Sequence, residues 1–167
     1  MNLTKANKNR IIFVLIIFGI VVFDQITKIA VQNYFENLGE TSAPFIPGFM
    51  RLTYVHNTGM AFSFFSGAAW LLAVFSAAMA AVVIYILFKY ASKFNSKLFD
   101  LALCFLAGGA IGNLIDRITR GYVIDMMDFE FVDFAIFNVA DCFVTFGAVF
   151  LAVFVIWFWD KAKDKNE

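Results

Sequence analysis

Four apolar stretches divide the chain, separated by polar segments of unequal length. They run from Ile11 to about Val31, from Ala68 to Tyr90, from Leu98 to Ile118 and from Phe137 to Trp159. At 1.5 Å of rise per residue, each is long enough to cross a hydrocarbon layer of about 30 Å as a helix. Lys5, Lys8 and Arg10 precede the first stretch in the manner of a secretory signal peptide, but no small-x-small cleavage motif follows it, so an uncleaved first transmembrane helix is expected. The longest polar interval, 32–67, is punctuated by Pro44 and Pro47-Gly48. It contains a strand-like run, Arg51-Leu52-Thr53-Tyr54-Val55, which Asn57-Thr58-Gly59 would end with turn chemistry. Phe62, Phe64 and Phe65 then supply interfacial rings ahead of the second span. The pattern predicts an all-α integral membrane protein. Residues 1–167 form one polytopic domain with four transmembrane helices and a small extracytoplasmic β-cradle, and the extracytoplasmic loops are 32–67 and 119–136.

Composition agrees, with 62% hydrophobic and 16% charged residues, far from the soluble range. Thirteen basic residues balance thirteen acidic ones, so net charge gives no reason to expect nucleic acid as a partner. The placement of the basic residues is more informative. Lys5, Lys8, Arg10, Lys89, Lys93, Lys97, Lys161, Lys163 and Lys165 gather on one side of the four spans, against Arg51, Arg117 and Arg120 on the other. The positive-inside rule therefore puts both termini in the cytoplasm and the longer loops outside.

Depth then singles out one layer. Counted from the cytoplasmic ends of their helices, Asp24, Lys28, Asn113, Asp116 and Arg117 lie about 20–28 Å across. Asn138 and Asp141 open the fourth span at nearly that level, and Asp125 lies on the outer loop before it. Ionisable groups within a membrane are costly and are functional candidates by default. Asp24 and Lys28, spaced i, i+4 with the acid first, suit a helical ion pair. On that reading they neutralise one another while Lys28 snorkels outward; alternatively, Lys28 orients a lipid headgroup or a site carboxylate. Asn113, Asp116 and Arg117 share a helix face above Gly108, Gly109 and Gly112, small residues that permit close helix approach. Arg117 there offers a fork for a carboxylate or phosphate.

Asp125 and Asp141 have no basic residue one helical turn away. Two carboxylates facing one another in a poorly hydrated site cannot both ionise cheaply, so one serves as a general base toward water and the other as an acid. That is the chemistry of an aspartic hydrolase, although Asp128, Glu130 and Asp133 are near enough in sequence to compete. Other chemistries have less support. The serines lack a nucleophile-elbow context, and the lone His56 precedes a turn with no evident nucleophile. Cys104 and Cys142 sit at different depths and suit apolar packing. No metal or cofactor is expected. A small transporter or proton relay would also put carboxylates in a membrane, but such sites lie near the midplane between repeats, and no repeat is visible.

Five segments taken in order closely resemble the prolipoprotein signal peptidase (signal peptidase II) family of aspartyl endopeptidases. They are Asp24-Gln25-Ile26-Thr27-Lys28, Asn57 through Phe62, Gly109 through Arg117, Gly121 through Asp125, and Phe137-Asn138-Val139-Ala140-Asp141. Cys142 departs from the serine or threonine common at that position. The resemblance implies that Asp125 and Asp141 are the catalytic pair, with Asp24, Lys28, Asn57, Gly59, Asn113, Asp116, Arg117 and Asn138 shaping the site. It implies a diacylglyceryl-modified prolipoprotein as substrate, cut on the N-terminal side of its lipidated cysteine, and globomycin-type peptides as inhibitors. It further implies residence among the lipids of the bacterial cytoplasmic (inner) membrane, with the site near the outer face.

Overall fold

The computed structural model describes residues 5–59 and 69–164. Phe62, Phe64 and Phe65, the end of the Asn57–Phe62 segment, and the first residue of the expected second span lie outside the described residues. The element order is α1 (Lys5–Leu38), β1 (Ser42–Ile46), β2 (Met50–Asn57), α2 (Ala69–Phe94), α3 (Lys97–Thr119), β3 (Val123–Phe129) and α4 (Val139–Asp164). All four helices are long and apolar enough to cross a membrane. The helix α3 packs against each of the other three.

Three boundaries differ from expectation for local reasons. The helix α1 runs seven residues past Val31 because Val31 and Phe35, one turn apart, are both buried against Ile124 and Met126 of β3. The first segment expected as loop is therefore a helical post under the sheet, ended by Gly39 at a φ of 72°. The expected link 91–97 shrinks to Asn95 and Ser96. Asn95 takes a left-handed φ of 44°, which asparagine tolerates, and the Ser96 hydroxyl caps α3 by accepting from the Phe99 amide. The fourth helix begins at Val139 rather than Phe137, with Asn138 as its cap.

The cradle is a three-stranded antiparallel sheet in the order β1-β2-β3. The expected strand residues fall inside β2, but its partners come from segments that had read as loop. Pro44, which lacks an N–H, is confined to the edge strand β1. Asp125, expected on a loop, lies on β3 opposite Val55, with Asn57 opposite Val123. This register carries the end of β2 past the residue on which the site depends.

Glycines set the spacing of the helices beneath the sheet. A Cβ added at Gly109 would lie 2.5 Å from the Ala140 carbonyl oxygen, and one at Gly112 would lie 2.6 Å from Asp24 Oδ2. The first turn of α4 and the carboxylate of α1 thus occupy space that only glycine leaves on α3. Toward the opposite end, Phe13, Leu87, Phe99, Leu103 and Phe154 close an apolar core.

Candidate active site

The start of α4 is a reciprocal cap. Asn138 Oδ1 accepts from the Asp141 amide at 3.0 Å, and Asp141 Oδ2 accepts from the Asn138 amide at 3.1 Å. This is the capping-box arrangement, with Asn at the cap and Asp three residues on. It locks the Asp141 rotamer against the helix end, where the N-terminal dipole favours negative charge. The next amide, Ala140 N–H, donates to Asp24 Oδ1 at 2.9 Å, tying α1 to the same helix end.

Asp125 faces this cap from β3 and is 3% exposed. Its Oδ1 accepts from Asn138 Nδ2 at 2.7 Å, and its Oδ2 accepts from Asn57 Nδ2 at 2.8 Å. Asn57 is oriented in turn because its Oδ1 accepts from the Gly59 amide at 2.8 Å. Gly59 has a φ of 89°, and a Cβ there would lie 2.5 Å from Leu72 Cδ1, so glycine is required at that turn. Burial is the main influence holding the Asp125 carboxyl up at about 6, and the charge of Asp141 adds to it. The Asn57 and Asn138 hydrogen bonds and the Lys28 charge act in the opposite direction.

Asn113 completes the ring. Its Nδ2 donates to Asp141 Oδ1 at 2.8 Å, and its Oδ1 accepts from Asn138 Nδ2 at 3.1 Å and from Lys28 Nζ at 3.0 Å. Each amide orientation is thereby fixed by its partners. Behind the ring, Lys28 pairs with Asp24 at 2.8 Å and with Asp116 at 3.0 Å, all three side chains being 0% exposed. The expected Asp24–Lys28 pair is present, but Lys28 does not snorkel. Its ammonium is directed inward by two carboxylates and an amide oxygen, which excludes contact with a lipid headgroup and favours the alternative of orienting site carboxylates.

Arg117 stands apart from the buried ion pairs. Its Nη1 reaches Ser76 Oγ at 3.3 Å and the Asn113 carbonyl at 3.4 Å, and it makes no ion pair within 4.0 Å among the described residues. Asp116 instead pairs with Arg120, one turn on, and accepts from Gln25 Nε2 at 3.0 Å. Adjacent positions on a helix point about 100° apart, so Arg117 cannot share the direction of Asp116, whereas Arg120 can. Arg120 and Gln25 had not been singled out from the sequence. The i, i+4 rule that identified Asp24–Lys28 finds Arg120 when applied from Asp116.

The competing acids are engaged elsewhere in the cradle. Asp128 accepts from Thr53 Oγ1 at 3.0 Å, Glu130 pairs with Arg51 and accepts from the Gly48 amide, and Asp133 is exposed. His56 stacks on Tyr122 with ring centroids 3.9 Å apart and shares a hydrogen bond with Tyr54 Oη. Both cysteines are free thiols, Cys104 buried and Cys142 half-buried. What remains is two carboxylates joined through Asn138. Each of their four oxygens accepts one of these hydrogen bonds, leaving acceptor capacity for a water, while whichever carboxyl is protonated has an O–H to donate to a reacting carbonyl oxygen.

Known proteins resemble this chain over most of its length. The family model described as signal peptidase (SPase) II matches residues 16–157. A lipoprotein signal peptidase of Lactobacillus johnsonii is 37% identical over 150 residues, covering 90% of this chain and 95% of that protein. One from Streptococcus pyogenes serotype M5 is 41% identical over 142 residues, covering 85% and 91% respectively. Two solved structures of a bacterial membrane enzyme, obtained by the in meso method, superpose with TM-scores of 0.73 and 0.75 at 29% identity. They cover 86% and 87% of this chain, and 87% and 93% of their own chains. With four membrane-spanning helices, a three-stranded cradle and paired aspartates at their junction, the chain belongs to the signal peptidase II family of aspartic peptidases.

Proposed function

We propose that the chain removes the signal peptide from diacylglyceryl-modified prolipoproteins, cutting on the N-terminal side of the lipidated cysteine, with Asp125 and Asp141 as the catalytic dyad. The observation that carries this reading is Asn138, whose side chain and backbone amide hold the two carboxylates at once. One aspartate takes a proton from a water as it attacks the scissile carbonyl, while the other protonates the developing oxyanion. Collapse of the tetrahedral intermediate returns a proton to the departing amine. Asn57, Gly59, Asn113 and Asn138 set the carboxylate geometry; Asp24, Lys28 and Asp116 hold the layer beneath. Arg117 adds positive charge within electrostatic reach of both aspartates.

The residues form one polytopic domain. The termini face the cytoplasm and the cradle faces outward, as the asymmetry of basic residues and the even number of spans suggest. Large apolar side chains exposed along the helices, such as Phe18, Trp70, Phe75 and Ile156, suit lipid contact, and Phe131 and Phe134 beside the cradle suit the outer leaflet. A substrate anchored by its acyl chains would then arrive laterally beneath the sheet, and globomycin-type peptides would compete for the same space. Mass spectrometry of products tests the assignment on paired peptides with and without the diacylglyceryl group. A single cut before the lipidated cysteine, and none in the unmodified peptide, is expected. Equal cleavage of both would refute the substrate class.

A further inference from the structure

Asp116 connects the buried ion pairs to the strand that carries Asp125. Its Oδ2 is ion-paired with Lys28 Nζ at 3.0 Å and accepts from the Ile124 amide at 3.2 Å, while its Oδ1 accepts from Gln25 Nε2 and from Arg120 Nη1. A carboxylate offers about four acceptor positions, so these donors saturate it. Ile124 immediately precedes Asp125, and its carbonyl oxygen accepts from Asn138 Nδ2 at 3.3 Å. Both peptide groups of Ile124 are therefore gripped by polar residues of the site. Arg120 is the outermost member, 20% exposed, and its Nη1 also donates to Gln25 Oε1 at 3.3 Å. Gln25 extends the chain to Asp24 Oδ2 and to the Gly112 carbonyl.

Charge gives the same residue a second task. Asp24 and Asp116 carry two negative charges, Lys28 carries one positive charge, and all three are fully buried. Arg120 brings that group to balance. The other charged or titratable groups within electrostatic reach of the dyad are Arg117 on α3 and the Cys142 thiol on α4; His56 packs against Tyr54 and Tyr122 on the other face of β2, and Asp128 is bonded to Thr53. From α2, Ser76 meets Arg117.

We infer that Arg120 is a positioning residue of the reaction: by clamping Asp116 against Gln25 and the Ile124 amide, it fixes the strand carrying Asp125 and balances the buried charge behind the dyad. The inference rests on the dyad reading above. Replacing Arg120 by a neutral residue leaves a net negative charge beside two carboxylates, which favours their protonated forms.

The test is the pH profile of cleavage by the purified full-length enzyme on a lipidated prolipopeptide. Arg120→Gln is expected to move the acid limb of kcat/KM upward by about half a unit to one unit, with kcat falling more than KM changes. Arg120→Lys, which keeps the charge, is expected to restore the limb. Gln25→Glu is expected to shift it in the same direction as Arg120→Gln, and the neutral Gln25→Met is not. Arg51→Gln, on the distant Glu130 pair, is expected to leave it unmoved. A folded Arg120→Gln enzyme with the parental profile, or one that loses the same factor at every pH alongside its melting temperature, would overturn the inference. Should Arg120→Gln fail to fold, identical profiles for Gln25→Glu and Gln25→Met would overturn it. Substantial turnover by Asp125→Asn or Asp141→Asn removes the dyad reading whatever Arg120 does; inactive aspartate variants with an unmoved Arg120→Gln profile remove only this inference.

Discussion

Lys28→Met separates structural from chemical importance in the buried layer. The parent ammonium is 0% exposed and serves Asp24 at 2.8 Å, Asp116 at 3.0 Å and the Asn113 amide oxygen at 3.0 Å. Methionine fills similar volume without the charge, leaving Asp24 and Asp116 buried with Arg120 as the remaining counter-ion. Removing one partner of a buried pair costs about 3–5 kcal/mol, because the group left behind is uncompensated. Asn113 Oδ1 keeps its bond from Asn138, so no further large loss is expected there. The assay is thermal unfolding in detergent, with turnover measured on the folded fraction. Adding Asp24→Asn removes one of the stranded charges, so the double variant is expected to be less destabilised than the sum of the singles. A Lys28→Met protein as stable as the parent would refute the reasoning, and a fully folded variant with no cleavage would make Lys28 part of the chemistry.

Gly112→Ala would put a methyl group 2.6 Å from Asp24 Oδ2 and 3.3 Å from Ala140 Cβ, so a loss of about 1–3 kcal/mol is expected in the same unfolding assay; an unchanged midpoint would contradict the packing. For topology, single cysteines at positions 42 and 95 should be respectively reachable and unreachable by an impermeant thiol reagent in intact cells, and the reverse result would invert the orientation. The Asp125 carboxyl, raised from 3.8 to about 6 by burial, keeps its proton in the folded state where the unfolded chain has lost it. Stability should therefore fall as pH rises, by about 3 kcal/mol in all from below about pH 4 to above about pH 6. Asp125→Asn should flatten that slope, and a slope unchanged in the variant would contradict it.

The four spans were legible because a transmembrane helix writes its length and apolarity into contiguous residues, and the Asp24–Lys28 pair because i, i+4 spacing is local. Less legible was anything set by a distant partner. Val123 through Phe129 became a strand by pairing with β2, some seventy residues earlier. The helix α1 outran its span because Phe35 finds Ile124 and Met126 of that strand beneath the sheet. Lys28 turned inward for the same kind of reason, since Asp116 and Asn113 reach it from another helix. Arg117 and Arg120 show the opposite case, in which helical geometry alone separates the two bases and a consistent use of spacing would have chosen Arg120.

The most direct measurement is turnover of a lipidated prolipopeptide by purified, folded Asp125→Asn, Asp141→Asn and the double variant. Asn138 joins the two carboxylates into one unit, and groups that act as a unit are strongly non-additive. Each single variant is expected to lose nearly all cleavage while keeping its fold, and the double variant to be little worse than either. Substantial turnover by either single variant would contradict the dyad.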